Sequence, residues 1–553
     1  MRTATYWRTI DDFRRFAQAE PDRAAVIYPD GQTAAGLPDY RRITYQELDQ
    51  WSDAIAEQLL RSGVGSGTRT IVLVLPSAEL YAILFALLKI GAVPVVIDPG
   101  MGVRRMVHCL RAVEAEAFIG IPPAHALRVL FPRSFRRVRT TLTVGRRWFW
   151  GGPTLRAWGR RPSGTLPERV PAAPEDVLII GFTTGSTGPA KAVELTHGNL
   201  AAMVEQVHAA RGHTPPETSL ITLPLVGVLD LLLGARCVLP PLIPSKVGST
   251  DPAHVVDAIE RFDVRTMFAS PALLIPLLEH LRAHPAELST LSSVFSGGAP
   301  VPDWCVAGLR EVLSPDAEIY AGYGSTEALP MSTIESRELL DGLVERAHQG
   351  DGTCIGRAAD RVEVRLLAIT DDPVPNWDAA ASPAGARAVG EIVVTGPNVS
   401  TRYYWPAAAN AAGKIADGDR TWHRTGDLGW IDEQGRIWFC GRKSQRVETA
   451  RGPMFTVQVE QVFNVVPGVA RTALVGLGTR GVQRPVLCVE LEPGADPAAT
   501  LTRLRTRAVE FEVTAPVTEF LVHPRFPVDI RHNAKIGREE LARWAAKKLE
   551  ARR

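Results

Sequence analysis

The chain has six cysteines in 553 residues (Cys109, Cys237, Cys305, Cys354, Cys440 and Cys488), and no two of them form a CxxC pair. That scatter argues against a disulfide framework or a cysteine zinc site and fits a reducing cytoplasm. An apolar h-region is missing from "MRTATYWRTIDDFRRFAQAE", so no secretory signal is visible and a cytoplasmic location is expected. Neither sign of charge is in excess. Lys and Arg total 62 against 60 Asp and Glu, and a net charge of +2 demands no nucleic-acid partner. There is no heptad and no obvious internal repeat. A long unbroken apolar run is also lacking: the most apolar stretch, "LYAILFALLKIGAVPVVIDPG" (80–100), is interrupted by Lys89, Gly91 and Pro94. It reads as a buried helix followed by a β-rich run rather than a membrane span.

What is present is ordinary globular composition, 45% hydrophobic and 22% charged, on a chain too long for one core, so at least two domains are expected. "TIVLVLP", "VPVVID", "DVLIIGFTT", "SSVFSGG" and "AEIYAGYG" read as strands, and "LYAILFALLKIG" and "HVVDAIERF" as helices. Their alternation predicts an α/β fold with largely parallel sheets. "GWIDEQGRIWFCGRK" suggests a hairpin. The Pro- and Arg-rich segment 156–176 reads as an exposed connector. After Arg446 the pattern becomes α+β for roughly a hundred residues, a common domain size.

The stretch "FTTGSTGPAKAVELTHGNL" (182–200) concentrates glycines, hydroxyls and a lysine. A Walker A loop needs GxxxxGK[ST], and here Ala190 precedes Lys191 and Ala192 follows it, so that pattern fails. A Gly/Ser/Thr loop can still turn its N–H groups toward an anion. The loop is expected to join the strand "DVLIIGF" to the helix "HGNLAAMVEQVHAA", a setting that suits phosphate.

Downstream, in order, lie "SGGAP" (296–300), "GYGSTE" (322–327), "HRTGDLG" (423–429), "GRK" (441–443) and "NAKIGR" (533–538). With this series the chain resembles the adenylate-forming superfamily of acyl-CoA synthetases, peptide-synthetase adenylation domains and luciferases. The resemblance implies an α/β chain: a large N-terminal AMP-binding domain of mostly parallel sheets flanked by helices (1–441), a hinge (442–446), and a small mobile α+β domain (447–553). ATP and Mg²⁺ would bind between the domains.

The resemblance also implies roles. Thr183, Thr184, Gly185, Ser186, Thr187, Gly188 and Lys191 would cradle the β- and γ-phosphates. Glu327 would be the Mg²⁺ carboxylate, and Thr326, with Gly324 and Ser325 before it, would approach the α-phosphate. Tyr323 would offer its ring to adenine, bordered by Gly297, Gly298, Ala299 and Pro300. Asp427 would accept from the ribose hydroxyls with Arg442 beside it. Lys535 would be the catalytic lysine, preceded here by Ala534 where the family has glycine. Ser444 stands where the family places its hinge Asp or Lys.

Superfamily members share adenylation of a carboxylate and differ in what attacks next. Many acyl-CoA synthetases carry an aromatic–His pair after a Pro-Leu; this chain has Val226 and Gly227 there. "VIDPGMG" (96–102), "TVGRRWFWGG" (143–152), "GTCIGR" (352–357), "CGRKSQRVET" (440–449) and "FPVDIRHNAKI" (526–536) resemble a narrower family, the olefin β-lactone synthetases of bacterial long-chain hydrocarbon biosynthesis. The implied substrate is a 2-alkyl-3-hydroxy fatty acid whose own 3-hydroxyl displaces AMP. The implied partners are a thiolase-like, a reductase and a hydrolase-like protein. Segment 225–243 is either alkyl site or core, and His197 and His423 are candidate bases for the 3-hydroxyl. The Arg- and aromatic-rich segment 131–152 suggests contact with a membrane surface or a partner. A fatty acyl-AMP or acyl-CoA ligase is the alternative within the superfamily, and a non-catalytic binding protein of the same fold the alternative outside it.

A lysine ammonium can bridge the attacking carboxylate and the α-phosphate and stabilise charge at pentavalent phosphorus. Lys535→Ala is therefore expected to abolish adenylate formation, read as ATP–pyrophosphate exchange, while ATP binding is retained. Near-normal exchange in that variant would refute the role.

Overall fold

The β-branched runs pair into sheets of nine, seven, six, three and two strands, in a computed structural model that describes residues 9–33, 36–164, 172–183, 190–211, 217–242, 244–286, 288–385, 387–527 and 536–550. In the nine-stranded sheet, Ala24–Gln32, Arg236–Val238, Thr218–Ile221, Thr266–Ala269, Ser293–Ser296 and Glu318–Ser325 run parallel, and antiparallel strands close both edges. The seven-stranded sheet has a parallel centre of Val177–Thr183, Val93–Val96, Arg69–Leu73, Ala117–Gly120 and Thr140–Thr143. Short strands followed by helices give this winding, and the loops at the carboxyl ends of such strands are where ligands bind. The six-stranded sheet, which carries the hairpin predicted at 429–443, is antiparallel throughout. The large part of the chain therefore combines two mainly parallel sheets with one antiparallel sheet.

The apolar stretch at 80–100 forms the helix Ala78–Lys89 and the strand Val93–Val96, as its Gly and Pro breaks require. The helix is buried on all sides. Lys89 ends it inside the protein, where its ammonium meets Asp49, Asp53 at 2.9 Å and the Ser52 hydroxyl at 2.7 Å. A buried ammonium is tolerated only with partners of this kind. Among the described residues no helix is long and apolar enough to cross a membrane. All six cysteines are buried free thiols.

One expectation is corrected. The glycine-rich segment does not lead directly into a helix. Lys191–Thr196 is a strand, antiparallel to Val177–Thr183, with Lys191 opposite Thr183. The helix His197–Ala210 begins only after Thr196, whose hydroxyl caps Asn199. "KAVELT" is flanked by strands on both sides, since Tyr403–Trp405 pairs with it too. Ladder bonds on both edges outweigh the helical signal that follows. The helix-dipole argument, which needed a helix directly after the glycines, therefore lapses.

Past residue 446 the chain builds a separate core. Val469–Leu477, Arg484–Leu491 and Glu519–Val522 form the three-stranded sheet, packed by Thr456–Asn464 and Arg538–Glu550. This unit touches the larger part through Gln461 on the Thr353 hydroxyl (3.0 Å) and Arg507 on the His348 carbonyl (3.1 Å).

The junction is held by buried charge. Glu391, 1% exposed, accepts from Arg424 (3.0 Å at Nε) and from Lys443 (2.8 Å). Arg424 is itself 2% exposed. Removing one partner of a buried pair strands the other charge and costs about 3–5 kcal/mol. Glu391→Ala is expected to lower unfolding stability by that order, measured as a shifted urea midpoint; an unchanged midpoint would contradict the account.

Candidate active site

Four motif segments converge at the carboxyl ends of the nine-stranded sheet. Ser293–Ser296 runs into Gly297–Pro300, and Glu318–Ser325 runs into the turn holding Thr326 and Glu327. A β-carbon on Gly297 would sit 3.1 Å from the Gly322 carbonyl oxygen, so the two backbones touch there. The Tyr323 hydroxyl donates to Asp427 Oδ2 at 2.6 Å. Asp427 and Arg442 are cross-strand neighbours of the hairpin, and the guanidinium lies 2.9 Å from Oδ1. Gly426, at φ +70°, lets the chain turn so that the Asp427 N–H reaches the Thr425 hydroxyl at 3.0 Å.

Asp427 is buried, and its pKa is raised by that burial despite Arg442 and Tyr323. Burial first, and Asp427 second, push the Tyr323 phenol well above its ordinary value, so it remains a donor. A carboxylate held by one cation and one hydroxyl suits recognition of vicinal sugar hydroxyls.

The second cluster centres on Glu327. The Tyr403 hydroxyl donates to Glu327 Oε1 at 2.9 Å. Two lysines flank the Tyr403 ring, Lys191 Nζ at 4.9 Å and Lys414 Nζ at 5.0 Å from its centroid. Lys414 is buried and donates to the Ser400 carbonyl. His423 packs edge-on to the same ring and contacts the Gly413 carbonyl at 3.2 Å. Thr326 lies against the hairpin strand, since a β-carbon on Gly181 would approach its methyl to 3.2 Å. The lysine after the glycine loop and the acid of "YGSTE" are thus brought to one tyrosine.

Burial opposes ionisation of Glu327, but the His423 ring and the hydroxyls of Ser325 and Tyr403 outweigh it, and the carboxyl titrates below its usual value. Burial, then Lys414, drives His423 down to about 3, so the imidazole is neutral near pH 7. The hydroxyls therefore sustain the charge on Glu327 under those conditions. Burial also lowers Lys414 to about 7, against the pull of Glu327. No group of three or more His, Cys, Asp or Glu that could hold a metal occurs among the described residues. One buried ionised carboxylate fits Mg²⁺, which draws its other oxygens from phosphates and water.

Thr184, Gly185, Ser186, Thr187, Gly188 and Lys535 lie outside the described residues. The residues on either side of the 528–535 segment are joined, with the Gly537 N–H on the Pro527 carbonyl at 2.7 Å. Arg538 anchors the following helix to Glu460 (2.8 Å) and to Gln445 (3.1 Å). Ser444 sits in a single 3₁₀ turn, Lys443–Gln445, between Lys443 on Glu391 and Arg446 on Asp371 (2.8 Å).

Of the candidate histidines, His423 is buried and neutral near pH 7, and His197 is the first residue of the helix that follows the strand Lys191–Thr196. Segment 225–243 is mostly core: Val226, Val228, Leu229, Leu231, Leu232 and Leu233 are buried. Gly227 is filled from outside, since a β-carbon there would lie 2.1 Å from the Tyr81 hydroxyl. The helix packing has no room for a larger residue at that position.

Sequence reasoning missed Tyr403 and Lys414. The available signal was a lone lysine in the small, apolar "AAGKIA" (411–416), just before the "TGD" strand.

The family described as AMP-binding enzyme matches residues 13–404. The chain is 45% identical to an olefin beta-lactone synthetase of Stenotrophomonas maltophilia, over 97% of each chain. It is 43% identical to one of Xanthomonas campestris pv. campestris, over 99% of this chain and 98% of the other. Among solved structures, the amide bond synthetase McbA from Marinactinospora thermotolerans aligns with a TM-score of 0.78 at 23% identity, covering 97% of this chain and 99% of that one.

The Tyr403 hydroxyl lowers the Glu327 pKa, so its removal must raise it. Tyr403→Phe is expected to move the acid limb of the pH profile for pyrophosphate exchange to higher pH. A limb that stays in place would separate Tyr403 from the charge state of Glu327.

Proposed function

The chain belongs to the AMP-binding enzyme family, and from that premise we propose that it is an ATP-dependent β-lactone synthetase acting on a 2-alkyl-3-hydroxy fatty acid. The observation that carries this reading is the end-to-end identity of 45% with a protein of that activity, over 97% of both chains. The carboxylate attacks the α-phosphorus of ATP and expels pyrophosphate. The 3-hydroxyl then attacks the acyl carbon, its proton leaves, and AMP departs as the four-membered ring closes. An acyl-adenylate is a reactive enough donor to offset ring strain, and the attack is intramolecular, so no second substrate has to be captured.

Asp427 and Arg442 hold the ribose, Tyr323 faces adenine, and the Gly297–Pro300 backbone borders the base. Thr183 and Lys191 flank the phosphate loop. Thr326 approaches the α-phosphate, and Glu327 is the single protein carboxylate for Mg²⁺. When bound, Mg²⁺ neutralises charge on the triphosphate. Lys535, delivered by the unit after residue 446, approaches the α-phosphate during the first step. That unit, 447–553, acts as a lid on the domain 1–441, and Ser444 in the 442–446 hinge absorbs its rotation. The rotation must break the Arg446–Asp371 contact and can leave Lys443 on Glu391. A thiolase-like, a reductase and a hydrolase-like enzyme are the expected partners.

A specific observation weighs against the thioester-forming alternative. The Gly227 position, where many acyl-CoA synthetases carry histidine, is occupied in space by the Tyr81 hydroxyl. Incubation with ATP and a 3-hydroxy acid, with and without CoA, is expected to give lactone and AMP in both cases, read by product NMR. A thioester formed only with CoA would overturn the proposal.

A further inference from the structure

Seven arginines and no acidic residue fall between positions 128 and 147. The helix Pro122–Leu130 ends in Val129, Leu130 and Phe131, exposed by 40, 74 and 38%. Trp148 and Phe149 are exposed by 53 and 75%. These apolar tips belong to one rigid base. Trp150 is buried, donates to the Thr143 hydroxyl at 3.0 Å, and stacks on His125 of the same helix with centroids 5.2 Å apart. Phe149 packs edge-on to Trp150. Leu130 lies about 8 Å further along that helix at about 1.5 Å per residue. Immediately beyond it, Arg111, Arg133, Arg136 and Arg137 wall a groove of about 340 Å³ with Trp405 and His108. Glu114 is its only acid, shared by Arg136 (3.9 Å) and Arg137 (3.1 Å), so the groove keeps an excess of positive charge.

We propose that this face docks on a bilayer bearing anionic headgroups, with Leu130, Phe131, Trp148 and Phe149 entering the interface and the arginine groove taking lipid phosphate. Protruding large apolar side chains on a folded base are costly in water unless something covers them. Arginine beside Trp and Phe at the surface is the composition of an interfacial membrane site. A bilayer is favoured over an acidic protein because the groove's one carboxylate, Glu114, is already shared by Arg136 and Arg137, which leaves none to match a partner's donors. It rests in part on the proposed function, since an acid with two alkyl branches partitions into lipid, and docking places the enzyme where its substrate dissolves.

The test uses the full-length protein with phosphatidylcholine vesicles, with and without phosphatidylglycerol. Sedimentation is expected to show binding that requires the anionic lipid and weakens at high salt. Trp148→Ser/Phe149→Ser and Arg133→Glu/Arg146→Glu should each lower binding about tenfold. Turnover of a short-chain, water-soluble hydroxy acid should be unchanged in both variants, so failure of the docking idea and failure of the lactone reading are read separately. Binding that is absent with either lipid, or unaltered in both variants, would overturn the proposal.

Discussion

One buried carboxylate joins three sheets. Glu327 sits in the turn between two strands of the nine-stranded sheet. Its hydroxyl partner, Tyr403, lies on the edge strand of the seven-stranded sheet. Lys414 and His423, which set the electrostatics around it, face each other across strands of the antiparallel sheet. The Ser400 N–H closes on the Glu327 carbonyl at 2.7 Å, so the turn is pinned by backbone as well. A charge taken out of water must be met by oriented donors, and here one donor, Ser325, is local and the other, Tyr403, comes from an element distant in sequence. Any displacement of one sheet against another is felt at this carboxylate.

The hydroxyls of Ser325 and Tyr403 explain why the carboxylate does not simply protonate. The tyrosine ring, flanked by two lysines, puts its hydroxyl on the acid without a direct ion pair. A direct pair would saturate the carboxylate, whereas this arrangement leaves it ionised and able to take a divalent cation. Asp427 is likewise held by one cation and one phenol. Each acid accepts from a tyrosine hydroxyl whose pKa burial raises.

The link between the large part and the unit after residue 446 sets a buried contact beside an exposed one. Lys443 is tied to the buried Glu391 of the large part, whereas Arg446, three residues on, reaches the half-exposed Asp371, which Arg480 also contacts at 3.0 Å. A pair near solvent is worth little and breaks readily; a buried one does not. Between these two contacts Ser444 is exposed.

Much of this was legible in the sequence. The α/β alternation, the broken apolar stretch at 80–100, the hairpin at 429–443 and the change of pattern after Arg446 are local signals, and local propensity and periodicity decide them. The order of "SGGAP", "YGSTE" and "TGD" also gave the acid and ribose candidates, because motif spacing survives in one dimension. The strand at 191–196 was not legible. Its signal is pairing on both edges, and one partner, Tyr403–Trp405, lies some two hundred residues away. Nor were Tyr403 and Lys414, whose importance is a matter of distance to Glu327, or the filling of Gly227 by a tyrosine from another helix. The chain alone determined which chemical groups exist and in which elements they lie. Tertiary structure decided which of them meet and which stay charged, because solvation and Coulomb terms depend on three-dimensional separation and burial, which sequence spacing does not encode.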